Sequence, residues 1–141
     1  MREGKIIDAQ AKLLDDLSRV LWRWRYLAKK VVYYAARKDA DRYSDAAKNY
    51  EENVWDVLDQ FRTEISRSRR LVSERAYERL DSLYDYVVHD LDVKITNVIC
   101  GGGVDVEESS ALAKRFSIEV SRRIDDAIDE LAAELHLKVK A

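Results

Sequence analysis

The sequence predicts an all-α fold, an antiparallel up-down-up-down four-helix bundle with long helices. Three observations predict it. The 141 residues hold no proline and four glycines, three of them consecutive at Gly101, Gly102 and Gly103, so helix breakers are almost absent. Apolar residues recur at alternating steps of three and four, which is the pattern of a helical face and not of a strand. The chain is 47 % hydrophobic and 37 % charged. That is too apolar for a disordered segment, and too often interrupted for a membrane span of about 20 residues.

The first helix is predicted over residues 5–38. Ile7, Gln10, Leu14, Leu17, Leu21, Trp24, Ala28, Val31 and Ala35 take heptad positions a and d, and Ile6, Leu13, Val20, Leu27 and Tyr34 form a flanking row. Two adjacent rows make the wide face of a bundle helix rather than a narrow coiled-coil seam. The second helix, 40–69, turns Ala40, Tyr43, Ala47, Tyr50, Val54, Val57 and Phe61 inward, flanked by Leu58 and Ile65. Neither glycine nor proline separates the two. Either Asp39 or Asp41 caps a new helix, or the segments run on as one bent helix.

The third helix, 74–99, starts more legibly. Ser73 has the position of an N-cap, and Val72 and Tyr77 are spaced as a hydrophobic staple. Its inward positions are Ala76, Leu80, Leu83, Val87, Leu91, Ile95 and Val98. The glycine run is a turn. Asp105 and Glu108 then stand at N-cap and N3 spacing and open a fourth helix, 106–138, with Leu112, Phe116, Val120, Ile124, Ala127, Leu131 and Leu135 inward. Rods of roughly 40–50 Å follow from a rise of about 1.5 Å per residue. Short connections set neighbours antiparallel, within one domain spanning 1–141.

No catalytic constellation emerges. A dinuclear metal centre on four helices needs inward carboxylates and two Glu-x-x-His pairs. Here Tyr86 stands three before His89 and Ala133 three before His136, and the inward rows contain no Asp or Glu. Asp85, His89 and Asp92 share one helix face, which reads as an exposed polar stripe because metal ligands are normally drawn from more than one helix. Helical ribonucleases of the HEPN type carry an arginine four to six residues before a histidine, and neither histidine has one. Cys100 is the only cysteine, so no intramolecular disulfide forms. The glycine run leads from a helix into Val104 and Asp105, not from a strand into Gly-Lys-Ser. The expectation is a non-enzymatic protein without cofactor or metal. The apolar pair Ile6–Ile7 is broken by Asp8, which does not read as a secretory signal, so the expected compartment is the cytoplasm.

One feature exceeds what a bundle requires. Between Leu17 and Lys38 stand seven cationic side chains and no acidic one, although the whole chain carries a net charge of −2. The heptad turns Trp24 and Tyr34 inward. It places Trp22, Tyr26 and Tyr33 outward, with Arg19, Arg23, Lys29, Lys30 and Arg37 on the same side. Trp, Tyr and Arg dominate protein contact surfaces, so these eight residues form the candidate partner-binding set, with a homodimer or another protein as partner. The alternative is single-stranded nucleic acid or RNA, stacked on the rings and neutralised by the cations. The acidic total charge argues against it. An anionic membrane surface is disfavoured because the same helix gives its apolar face to the core. Residues 39–64 hold eight acidic groups against three basic, and 105–130 hold eight against four. Charge pairing inside the bundle therefore offers a purely structural use for the same cations.

Tyr50, Val54, Trp55, Leu58, Arg67, Arg70 and Leu71 resemble the middle of certain uncharacterised bacterial helical-bundle proteins. In those a tyrosine, an apolar–Trp pair and a later Arg-rich turn recur. The resemblance covers about a third of the chain and implies a helical bundle and no particular activity.

Overall fold

A computed structural model describes residues 2–135, with side chains from Gly4 onward. The described residues form four helical rods and no strand. Helix α1 is Arg2–Ala36 and α2 is Ala40–Ser68. Helix α3 occupies 74–100, with a π-helical insert at Tyr86–Asp92 between Glu74–Asp85 and Val93–Cys100. Helix α4 occupies 106–134, with a shorter π insert at Phe116–Val120 between Val106–Arg115 and Ser121–Glu134. The expected end of the last helix at 138 lies outside the described residues.

The turns explain the boundaries. Helix α1 stops at Ala36, two residues before the expected end, because Lys38 adopts a left-handed φ of 56°. The N–H groups of Lys38 and Asp39 fold back onto the carbonyls of Ala35 and Tyr34, so lysine fills the position glycine usually takes in a Schellman cap. Asp39 then caps α2 by accepting from the Arg42 N–H, which resolves the bent-helix alternative in favour of two helices. Ser73 and Asp105 cap α3 and α4 by accepting from the N–H groups of Ala76 and Glu108. At the glycine turn between α3 and α4, Gly102 and Gly103 have φ of 74° and 69°. A Cβ on Gly103 would overlap the Tyr43 ring.

Helix α1 is the spine. It packs against α2, α4 and the C-terminal part of α3. Its buried face holds Leu13, Leu17, Leu21, Trp24, Ala28 and Val31, with the Trp24 ring 5.5 Å from that of Phe116. The inward rows expected for α3 are all buried, each large apolar side chain contributing about 1.5–3 kcal/mol. Ile6, Ile7 and Ala40 depart from expectation and are exposed, because they lie at helix ends beyond the packed centre.

The core also contains two acids that the apolar rows do not show. Asp92, 8 % exposed, accepts a 2.5 Å hydrogen bond from the Tyr50 hydroxyl. Burial, and then the carboxylate of Asp92, push the Tyr50 phenol far above its usual range. The indole N–H of Trp24 lies beside this pair without closing a hydrogen bond. Glu64, 5 % exposed, bonds to Arg67, and its burial raises the carboxyl pKa.

Polar links fix neighbouring helices. Arg67 reaches Asp16, and the Gln10 amide donates to the Leu71 carbonyl at 2.8 Å. Arg62 pairs with Asp81 at 2.6 Å. Ser73 donates to Glu134, Arg79 pairs with Glu130, and Arg115 pairs with Asp90 at 2.7 Å. Arg25 donates to Ser121 Oγ at 2.7 Å.

Candidate interaction face

Opposite its buried side, α1 presents a stripe of Arg19, Arg23, Tyr26, Lys30, Tyr33 and Arg37. Steps of four and three keep these six residues on one helix face over about 27 Å. Lys30 is half-buried and the other five are exposed, with Tyr26 at 57 % and Tyr33 at 37 %. Large rings are held upright there by their own helix. The Lys30 ammonium lies 4.8 Å from the Tyr26 ring centre, and the Arg37 guanidinium 4.3 Å from that of Tyr33. At spacing i,i+4 each cation covers one side of a ring. Tyr33 also meets Tyr34 edge-on, with centroids 5.3 Å apart.

Trp22 corrects the expected set. It is half-buried and packs against the core cluster, with the Arg25 guanidinium 5.5 Å from its ring. The physical reason is its heptad b position, at the edge of the buried arc, where an indole is long enough to lean onto the flank. Lys29, seven residues further along the same row, is likewise half-buried. The outward face is therefore narrower than expected and consists of the f and c rows alone.

The cations of this stripe are largely unspent. Arg19 pairs with Asp15 of its own helix. Among the described residues, Arg23, Lys29, Lys30 and Arg37 make no ion pair with any carboxylate. Pairing inside the bundle thus does not account for them. Arg25, by contrast, points towards α4 and donates to the Phe116 carbonyl and to Ser121 Oγ.

A second exposed aromatic, outside the expected contact set, stands on α2. Trp55 is 62 % exposed, on a stripe Asp41, Asp45, Lys48, Glu52, Trp55 and Asp59 that repeats the same four-and-three stepping and is exposed throughout. Among the described residues none of its four acids makes an ion pair. The signal was available in the sequence, one face away from the apolar rows.

The remaining polar cluster joins the π insert of α3 to residues in and beside that of α4. Arg115 bonds to Asp90 and Glu119, and Arg115 and Arg123 lie over the Tyr86 ring at 5.3 and 3.9 Å. Asp90 is held below the usual carboxylate range, first by Arg115 and then by Lys94. Burial raises the Tyr86 phenol, whose oxygen has no hydrogen-bond partner. Each charge in this cluster is neutralised by another, so it ties α3 to α4. The π insert also separates the expected Asp85–His89–Asp92 stripe. Asp85 and His89 remain exposed 3.7 Å apart, while Asp92 turns inward to Tyr50. Among the described residues no group of three or more His, Cys, Asp or Glu side chains is placed to hold a metal ion. No described helix is long and apolar enough to cross a membrane. Cys100, at the end of α3, is exposed.

The chain matches no protein-family model, no curated protein and no solved structure.

Proposed function

We propose that this chain is a non-enzymatic interaction module whose α1 outer stripe pairs it with a second protein surface, in a homodimer. The scaffold is read as an antiparallel up-down-up-down four-helix bundle. This is supported by the links of Asp81 and Asp92 of α3 to Arg62 and Tyr50 of α2, and of Asp90 and Arg79 of α3 to Arg115 and Glu130 of α4. In each pair the residue number rises along one helix as it falls along the other.

The observation that carries the reading is the coincidence of exposed tyrosines with Arg23, Lys30 and Arg37, which no carboxylate among the described residues neutralises. Stability does not require either. Placed against a partner, the rings supply apolar area at little entropic cost and the guanidinium groups supply directional hydrogen bonds.

Replacing Tyr26 and Tyr33 together by alanine tests the reading without touching the core. Wild-type protein is expected to show a mass above the monomer in light scattering at high concentration, and the double variant to fall to the monomer. Trp22 is unsuited to this test because it packs against the interior. A wild type that stays monomeric but retains single-stranded RNA on a filter at low salt would replace the reading with nucleic-acid binding.

A further inference from the structure

The acidic stripe of α2 identifies the occupant of the α1 stripe. Resting on the reading of α1 as a contact face, we propose that its partner is the α2 stripe of a second copy of this chain, centred on Trp55. The two stripes match in length, each covering about 27 Å. They are opposite in sign, and Arg23, Lys30 and Arg37 on one and Asp45, Glu52 and Asp59 on the other all lack ion pairs among the described residues. Within one chain they cannot neutralise each other, since both point away from the core.

Register gives the stronger argument. Towards one end of the α1–α2 pair Asp16 reaches Arg67, and towards the other the Arg42 guanidinium lies over the Tyr34 ring. Carried along the helices, these anchors set Arg23 level with Asp56 and Asp59, Tyr26 with Trp55, and Arg37 with Asp41, to within one turn, and set Lys30 between Lys48 and Glu52. A two-fold axis parallel to the helices keeps every residue at its level. It lays α1 of one copy on α2 of the other and makes the reciprocal contact at the same time. Arg23 and Arg37 then meet carboxylates and Tyr26 meets Trp55, while Lys30 meets Glu52 with Lys48 one turn away. The shared surface, two helices of about 27 Å by roughly 10 Å on each copy, buries near 1,000 Å² in total. That is the lower edge of specific interfaces, so the dimer is weak and salt-sensitive.

A charge exchange tests this by sedimentation equilibrium of the full chain at low salt. The variant Arg23→Glu/Lys30→Glu has two acidic stripes, and Glu52→Lys/Asp59→Lys removes the acidity opposite. Each alone is expected to weaken self-association by at least about tenfold through like-charge contact. Their equimolar mixture restores a dimer, because both reciprocal contacts become opposite in sign again, and the rescue shows that both chains are folded. The chain carrying all four substitutions also dimerises. If the α1 variant dissociates while Glu52→Lys/Asp59→Lys still dimerises as wild type, α1 remains a contact face and this pairing is overturned. A mixture that stays monomeric overturns it as well. A wild type that is monomeric at every concentration removes both the pairing and the homodimer.

Discussion

The two flanks of the molecule spend similar charges in opposite ways. Along α3 and α4, Arg79, Arg115 and Ser73 reach across to Glu130, Asp90 and Glu134. Between α1 and α2 the ion pairing among the described residues is one contact, Arg67 to Asp16 at 3.4 Å, near the far end from their turn. The richest blocks of opposite charge in the sequence nevertheless lie on these two helices. Composition therefore does not decide whether charges cohere; their angular position does. Groups at the edge of the buried arc meet across a groove, whereas groups at the back of each helix face solvent side by side. Exposed pairs contribute only about 0.2–1 kcal/mol each, so α1 and α2 are held chiefly by their apolar faces.

The largest expected effect comes where both flanks share a residue. Trp24 of α1 packs against Phe116 of α4 and is fully buried. Trp24→Ala should cost about 3–5 kcal/mol in urea unfolding, loosening both flanks at once. A cost below about 1 kcal/mol would mean that the spine of the fold lies elsewhere. Tyr50→Phe ranks next. It removes the hydroxyl that satisfies buried Asp92, and leaving that carboxylate without its donor should cost about 1–3 kcal/mol.

An intermediate effect separates the flanks by pH. Asp90 has its pKa lowered, first by Arg115 and then by Lys94. A lowered folded-state pKa gives stability that is fully present above the unfolded value and is lost as pH falls through the folded one. Asp16 behaves alike, held low chiefly by Lys12. Glu64 has the opposite sign. Burial raises its pKa, so its contribution is present below the unfolded value and fades as pH rises through the folded one. Arg115→Gln should therefore reduce stability at neutral pH by about 1 kcal/mol or less, these groups being partly exposed. It should also flatten the loss of urea midpoint on acidification. An unchanged acid slope would show that the Arg115–Asp90 contact contributes nothing to the α3–α4 flank.

Legibility in the sequence follows the range of the interaction. Caps at Asp39, Ser73 and Asp105 are local hydrogen bonds within four residues, and they were readable. So were the apolar rows of α3 and α4 and the outward rings Tyr26 and Tyr33, which depend on periodicity alone. The turn at Lys38 was not, because a lysine with positive φ carries no glycine signal. The π inserts were not, because they depend on what packs alongside, and with them went the inward turn of Asp92. Trp22 was misplaced by the size of an indole at the edge of the buried arc, which a heptad letter does not encode. The four-and-three stepping of Trp55 with Asp45, Glu52 and Asp59 is visible in the sequence, but a carboxylate-rich helix face is also what plain solvation produces, so spacing alone does not mark it as a contact.

The smallest expected effect is the sharpest contrast with the α3–α4 flank. Arg23 makes no ion pair among the described residues, lies over no ring, and stands one turn from Arg19 on the same face. Like charges at i,i+4 destabilise a helix by about 0.2–0.5 kcal/mol. Arg23→Gln should therefore raise the monomer's stability by about that amount at low salt, where Arg115→Gln lowers it. The gain should vanish as added salt screens the repulsion. Thermal unfolding at dilute, monomeric concentration measures both. A loss approaching that of Arg115→Gln would mean that Arg23 finds a carboxylate within its own chain. The α1 stripe would then be cohesive in the way the opposite flank is, and would have no charge left for a partner.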